Sequence, residues 1–466
     1  MARPRRKSSL GSDIRGDTSA PAVSTMGTTT SQVWCYPVTR DPLKFAEKED
    51  GDKQAGTSLL TASSSVLQRA ASKSRRQALS KERRSSRSRA RTFLTWYREL
   101  SYRNTWLNPL VVILIALAGY AIHPSPDNPL HSAIFLSYPR PPDPTAMYPN
   151  AIQYGKGIRD ICFVLFYTFF FSFTRELLMQ RLLRPIARYC GITKKAKVAR
   201  FMEQTYTALY FAVFGPYGLY VMYHTEVWYF RIAGYYERYP HHTHTADFKA
   251  YYLLQAAYWT QQAIVLLLQL EKPRKDFKEL VLHHVVTLSL ISLSYRFHFT
   301  YMGIAVFVTH DISDFFLATS KTLNYLDHPL IGPYFGFFIF VWIYMRHYIN
   351  LGIIISIPMQ FKTIGPFFLD WQAGYYKCTL AQFISGTLLG SLQAVNLFWL
   401  WFILRIAKRF VLDKEAVDER SEDEAEADEE SSNQGDEINP AIEITLTEKA
   451  NGHVVANGEA KLKKVL

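Results

Sequence analysis

The chain has 466 residues, a formal net charge of +13 and a 48% share of hydrophobic residues. The hydrophobic residues form long blocks between about residues 106 and 406. This pattern excludes an ordinary soluble globular protein and predicts an all-α polytopic membrane protein. The four cysteines lack paired or metal-type spacing, so neither a disulfide framework nor a zinc site is implied.

The two ends of the chain are polar and oppositely charged. Residues 1–90 are rich in Ser, Thr, Ala, Arg and Lys, and residues 411–466 include a strongly acidic run. Both ends have too few large apolar residues to bury a core, so we predict two disordered tails. Ser8 and Ser421 are candidate phosphorylation sites, although their kinase patterns also occur by chance. Lys463 and Lys464 resemble the retrieval signal of endoplasmic-reticulum membrane proteins.

Eight apolar segments between the tails are each close to the ~20 residues that a helix needs to cross a bilayer. We predict spans at roughly 106–122, 158–179, 201–223, 250–270, 280–299, 302–320, 332–357 and 376–406. The fifth and sixth spans must be joined by a tight turn, and counts of six or seven spans remain open. Residues 91–157 then hold the first span and its loop, and residues 158–410 form the main membrane domain.

Basic residues are concentrated in alternate loops. They are dense within 181–200, within 272–278 and after residue 404, whereas the loops at 123–157 and 224–249 are sparser and mixed in charge. Because cytosolic loops carry the excess of Lys and Arg, this asymmetry predicts that both tails are cytosolic. A nucleic-acid partner is the alternative for the basic run before the first span, but the adjoining span favours retention at the membrane.

Ionisable side chains occur inside two neighbouring spans, where a bilayer tolerates few of them. The fifth span carries His283 and His284, and the sixth carries His310, Asp311 and Asp314. Antiparallel packing of the two helices brings both groups to similar depth near the cytosolic side. A buried His–Asp pair that merely ties two helices together would explain one pair, but not five such residues. One histidine oriented by an aspartate is a competent general base.

Polar side chains on other segments add to this candidate site. Trp259 belongs to a helical stripe with Gln255 and Gln262, and Arg346 lies in the middle of the seventh span. We expect most Gln and Asn residues to form interhelical hydrogen bonds, whereas Arg346 is too costly at that depth to be idle. Whether Arg346 binds substrate or only a neighbouring acid remains open. The candidate substrate-binding residues are therefore His310, Lys321, Trp259, Arg346 and Lys275.

A metal site is a competing interpretation of so many histidines. His241, His242 and His244 lie on a predicted lumenal loop, away from His283 and His284. The H-x-x-H-H spacing of iron-dependent lipid hydroxylases does not occur, so we expect acid–base chemistry without a metal or other cofactor. A proton-coupled channel is less favoured, because it should show a polar stripe through the full membrane thickness.

The segment LVLHHVVTLSLISLSYRFHFTYMGIAVFVTHDISDFF and its flanks resemble the Lag motif of ceramide synthases, within the TLC family of membrane proteins. The match rests on the paired histidines, the H-D-x-x-D pattern and the residues around them: His283, His284, Ser294, Tyr295, Gly303, His310, Asp311, Asp314 and Lys321. A looser resemblance to the same family covers about residues 156–405, and the chain is most similar to the fungal members.

The resemblance implies an endoplasmic-reticulum enzyme that transfers a long or very long fatty acyl group from acyl-CoA to the amine of a sphingoid base. It implies six helices closed into a barrel around an acyl-chain cavity, with catalytic residues His283, His284, Asp311 and Asp314. It also implies a small single-span accessory subunit, and a homo- or heterodimer is a further expectation. A non-enzymatic lipid transporter or lipid-binding protein of the same fold is the alternative. Direct transfer and an acyl-histidine intermediate both remain open.

Overall fold

The computed structural model describes residues 72–76, 80–81, 91–142, 149–271 and 275–413. The chain divides into a unit of residues 1–85 and a unit of residues 86–466. In the first unit, residues 72–76 form an exposed helical turn. The candidate phosphorylation sites and the C-terminal lysines lie outside the described residues, so the predictions placed on them remain predictions.

Ten helices make up most of the described part of the second unit. Their bounds are α1 Arg91–Arg103, α2 Leu107–Ile122, α3 His131–Ile134, α4 Arg159–Tyr189, α5 Lys195–Tyr223, α6 Ala246–Leu267, α7 Phe277–Arg296, α8 Thr300–Tyr325, α9 Ile331–Gln360 and α10 Thr379–Asp413. Each of the eight predicted spans coincides with one of these helices. The period and length of the apolar blocks therefore located the helices correctly.

Five of these helices, namely α4, α7, α8, α9 and α10, are each long and apolar enough to cross a membrane. A sixth span is counted only if α1 and α2, which meet at a bend of 113°, act as one segment. The other two predicted spans, α5 and α6, fall below the same criterion because Tyr, Gln and Gly lower their hydropathy. The protein is thus a multi-pass membrane protein, with fewer spans by composition than the eight predicted.

Six helices close into a ring. α5 packs on α6, α6 on α7, α7 on α10, α10 on α9 and α9 on α8, and α8 returns to α5 through the most extensive helix contact. α4 packs against α6, and α2 packs against α4. The closed ring confirms the six-helix barrel that the resemblance implies.

The turn between α7 and α8 consists of three residues, Phe297, His298 and Phe299. His298 has a φ of 66°, in the left-handed region that side chains rarely adopt. Its ring contacts the amine of Lys156 at 3.3 Å. Burial, together with the nearby charge of Lys249, lowers the pKa of Lys156 well below its ordinary value. The predicted tight turn between the fifth and sixth spans is confirmed.

Two small antiparallel sheets join the helices and were not predicted. Strands β1 (Pro139–Arg140), β2 (Gln153–Tyr154) and β3 (His244–Thr245) form the first sheet, and β4 (Phe368–Asp370) and β5 (Tyr375–Lys377) form the second. Strands of two or three residues carry too little alternation to be recognised in a sequence. The β4–β5 hairpin connects α9 to α10 and packs on the α7–α8 turn, where the rings of Phe297 and Tyr376 are 5.0 Å apart.

Candidate active site

A largely apolar cavity lies inside the ring, between α6, α7, α8, α10 and the β4–β5 hairpin, and its empty volume, including the space open to the outside at its mouth, is about 1180 Å³. His283 and Trp259 line one end of it, and Phe297 and Tyr376 line the other. At 1.5 Å per helical residue, the fourteen residues from His283 to Phe297 correspond to roughly 21 Å. The remaining wall is mostly Leu, Ile and Phe, so the cavity suits an extended hydrocarbon chain with a polar group at the His283 end.

The two histidines of the predicted pair have different surroundings. His283 is buried and lines the cavity, and its Nδ1 has no hydrogen-bond partner among the described residues. Its ring lies edge-on between Trp259 and Trp399, at centroid distances of 5.6 and 5.1 Å. His284 instead donates from Nδ1 to the carbonyl oxygen of Leu280 at 2.8 Å. The pair thus places one free ring nitrogen beside the cavity.

His310 also lines the cavity, and its ring is held on both sides. Nδ1 donates to the carbonyl oxygen of Val306 at 2.8 Å, one turn earlier in α8. Nε2 therefore carries the lone pair and accepts from Nδ2 of Asn396 at 3.3 Å. The amide of Asn396 is oriented in turn, because its Oδ1 accepts from Arg346 at 2.9 Å. His310 is thereby kept neutral, with both ring nitrogens in use.

Arg346 is the centre of a buried polar network between α8, α9 and α10. Its guanidinium donates to the carboxylate of Asp314 and, at 2.7 Å, to the hydroxyl of Ser313. The charge also lies over the ring of Trp342, 4.2 Å from its centroid. Arg346 reaches these partners from a π-helical turn at Tyr344–Ile349, a local widening that often marks functional positions.

Asp311 is fully buried and faces α6. Its Oδ2 accepts from the hydroxyl of Tyr251 at 2.8 Å and from the amide of Gln255. The same amide joins Tyr251 at 3.1 Å, so the three side chains tie α6 to α8. Gln255, Asn396 and Gln393 all form interhelical hydrogen bonds, as expected for amides within spans.

The structure gives the two aspartates partners other than the histidine pair, in contrast to our expectation. No hydrogen bond among the described residues joins His283 or His284 to Asp311 or Asp314. The physical reason is that Asp311 projects from α8 toward α6 and Asp314 toward α9, whereas the histidine pair lies on α7. Adjacent residues of a helix point about 100° apart, so His310 can line the cavity while Asp311 faces α6. The sequence did not single out Tyr251, whose aromatic side chain resembled ordinary packing.

Three other predicted site residues are placed as follows. Trp259 lines the cavity beside His283, and its contact with substrate remains a prediction. Lys321 is near enough to Asp314 to interact with its charge, and Lys275 is exposed just before α7. Neither lysine lines the cavity, so a role in holding substrate remains a prediction for both. Among the described side chains, no cluster of His, Cys, Asp or Glu is arranged to hold a metal ion.

Comparison with known proteins places this site in a class of membrane proteins. The family model described as the TLC domain matches residues 200–405, the region of the six-helix ring. Sphingosine N-acyltransferase lac1 of Schizosaccharomyces pombe is 50% identical over 334 residues, which cover 71% of this chain and 85% of the relative. Ceramide synthase LAG1 of Saccharomyces cerevisiae is 45% identical over 340 residues, covering 72% and 81%. Ceramide synthase 4 of Bos taurus is 31% identical over 216 residues, covering 46% and 51%.

The ring and the domain match define a TLC-domain membrane protein. The extent and identity of the fungal matches go further: the chain belongs to the family of sphingosine N-acyltransferases, also called ceramide synthases. The family predicted from the paired histidines and the H-D-x-x-D pattern is confirmed.

Proposed function

We propose that this protein transfers a fatty acyl group from acyl-CoA to the primary amine of a sphingoid base, forming a ceramide and free CoA. The observation that carries the proposal is the position of His283 at one end of a long apolar cavity. A chain-shaped cavity binds the acyl group, and the free ring nitrogen lies where its reactive end would be. The names of the fungal relatives support the same reaction.

The amine of the sphingoid base is mostly protonated near neutral pH and attacks only as the free base, so it first releases one proton to water. The reaction of the free amine then requires one further proton to move within the site. In the Nε2–H tautomer, Nδ1 of His283 takes a proton from the attacking nitrogen. The nitrogen–carbon bond forms, the carbon–sulfur bond breaks, and the proton is returned to the departing CoA thiolate. The thioester carries the activation, so no further cofactor enters the proposal.

A second route uses the same residue. His283 attacks the thioester, CoA leaves, and the amine then resolves the acyl-imidazole. Incubation with acyl-CoA alone separates the routes, because only the second leaves an acyl group on the peptide that contains His283. Mass spectrometry of that peptide is the direct measurement.

In this proposal, the remaining polar residues act indirectly, by holding the helices that carry the site in position. Asp311 and Asp314 hold α8 against α6 and α9, and Arg346 with Asn396 fixes the ring of His310 on the cavity wall. Their effect on turnover is then indirect, through the position of α8 relative to α7.

We place the reaction in the endoplasmic-reticulum membrane, with both tails in the cytosol. The basic loops support the cytosolic position of the tails. A cytosolic position of the α7 N-terminus lets CoA approach from the water side, with Lys275 near its phosphates. A small single-span accessory subunit and dimerisation complete the proposed assembly.

Purified full-length protein in lipid vesicles, with its accessory subunit, tests the function. Given a panel of acyl-CoAs and dihydrosphingosine, it should form N-acylated product and one free thiol per amide. Movement of lipid between leaflets without any amide product would instead support the transporter alternative and contradict the enzyme.

The far end of the cavity should limit the acyl chain. Ala381 lines the cavity in the first turn of α10, next to the hairpin. Ala381→Phe should lower activity on the longest acyl-CoA used by about tenfold or more and spare shorter ones. Displacing two buried methylenes costs about 1.6 kcal/mol, which is roughly tenfold in binding.

Ala394→Phe is the matched control, because Ala394 lies on the same helix with its side chain exposed outside the cavity. The acyl-length profile should be unchanged in this variant. Equal loss for all chain lengths in Ala381→Phe would contradict the assignment of the cavity to the acyl chain.

A further inference from the structure

Three buried polar atoms without a hydrogen-bond partner meet at the His283 end of the cavity. They are Nε1 of Trp259, Nδ1 of His283 and Oγ1 of Thr287. All three residues line the cavity, and none of the other buried, unpartnered atoms among the described side chains belongs to a cavity-lining residue. Unsatisfied groups of this kind are rare in folded proteins and call for a partner.

The three side chains come from two facing helices. His283 and Thr287 are one turn apart on α7, so they share one face of that helix. Trp259 projects from α6, and its ring centroid is 5.6 Å from that of His283. Trp259 and His283 are each more than nine-tenths buried. Both rings are therefore held in place by packing, and the hydroxyl oxygen of the half-buried Thr287 is itself inaccessible to water.

Several other polar side chains along the cavity already have partners. Ser294 donates to the carbonyl oxygen of Leu290, Tyr252 contacts the hydroxyl of Ser294, and His310 is held by Val306 and Asn396. Among the buried side-chain atoms of the described cavity lining, the unpartnered ones are therefore those of Trp259, His283 and Thr287. A ligand that places an oxygen atom beside them would satisfy the donors among them.

We propose that Nε1–H of Trp259 and Oγ–H of Thr287 donate to the carbonyl oxygen of the acyl thioester, beside His283. This inference rests on the proposed acyl transfer. When the amine attacks, the carbonyl π electrons move to oxygen, and the two donors stabilise that negative charge. The electrons return as the carbon–sulfur bond breaks, and the proton held by His283 goes to the thiolate. Donors placed in a dry site where charge develops act mainly on the transition state.

Trp259→Phe removes one donor and keeps an aromatic ring in place. We expect kcat to fall about 10²–10³-fold, with the KM for acyl-CoA changed less than about threefold, because the donor acts on the developing oxyanion. Trp106→Phe is the matched control: its Nε1 is also unpartnered, but Trp106 does not line the cavity. That variant should keep wild-type kcat.

Thr287→Val removes the hydroxyl with little change of shape, and Thr287→Ser keeps it. We expect the valine variant to lose at least tenfold in kcat and the serine variant to retain most of it. Thr260→Val is the control, because the hydroxyl of Thr260 is already bonded to the carbonyl oxygen of Ala256 at 2.7 Å. A purely structural role for Thr287 would not predict recovery by serine.

An S-alkyl-CoA has the same chain but lacks the carbonyl oxygen. Measuring its binding therefore shows whether a variant has lost stabilisation of the oxyanion or has lost affinity because the cavity is packed differently. Wild type, Trp259→Phe and Thr287→Val should bind it equally. Weakened binding that matches the loss of turnover, or near-normal kcat in either variant, would overturn the inference. If the wild type and both variants form ceramide equally well, this inference fails but the proposed function stands. If the wild type forms none, the proposed function fails with it.

Discussion

His283→Asn should lower turnover by about 10²–10⁴-fold, the range expected when a positioned general base is lost. Asparagine is smaller and polar, but it cannot accept a proton near neutral pH. The KM for acyl-CoA should change little, because the acyl chain lies along the apolar wall rather than on the imidazole. Steady-state assay of amide product in reconstituted vesicles, with kcat and KM determined separately, is the measurement.

His123→Asn provides the control for the same chemical change. His123 is exposed at the end of α2, outside the cavity, and its replacement should leave kcat unaltered. If His283→Asn keeps a tenth or more of the wild-type kcat, His283 is neither the general base nor the residue that carries the acyl group.

Arg346→Met should lower the free energy of unfolding by about 3–5 kcal/mol, because it removes the buried guanidinium that pairs with the Asp314 carboxylate. The Arg346 side chain is 2% exposed, and Asp314 is 16% exposed. Arg346→Lys should be only partly tolerated, since an ammonium cannot reach Asp314, Ser313 and Asn396 together. Thermal unfolding of the purified protein in detergent reports the change as a lower Tm.

The double variant Arg346→Met with Asp314→Leu should recover most of the lost stability, because both charges are then removed. Arg103→Met is the control: Arg103 pairs with Glu99 at 2.7 Å, but the two side chains are 74% and 66% exposed. Its removal should cost at most about 1 kcal/mol. A Tm for Arg346→Met equal to that of Arg103→Met would show that the buried pair contributes no more than a surface one.

Local patterns were sufficient to locate the helices and several polar side chains that line the cavity. The α7–α8 turn, His283, His310 and Trp259 were all predicted from spacing and polarity within apolar segments. The aspartate partners were not predicted, because a sequence states which residues share a helix face but not which helix lies opposite. Asp311 and Asp314 both lie close to His310 along the chain, yet their carboxylates bond to Tyr251, Gln255 and Arg346.

The β4–β5 hairpin and the π-helical turn at Arg346 escaped prediction for a related reason. Each is a local deviation of a few residues, too short to leave a periodic signature in hydrophobicity.

By itself, the sequence determined that this is a multi-pass helical membrane protein with a histidine-containing site in its apolar region. Burial in a bilayer requires long apolar helices and makes each ionisable side chain exceptional, so both features are visible residue by residue. Only the tertiary structure decided that His283, Trp259 and Thr287 share the end of one cavity while the aspartates bond elsewhere. Those pairings depend on how six helices close into a ring, and contacts between residues far apart in the chain leave no pattern in any single segment.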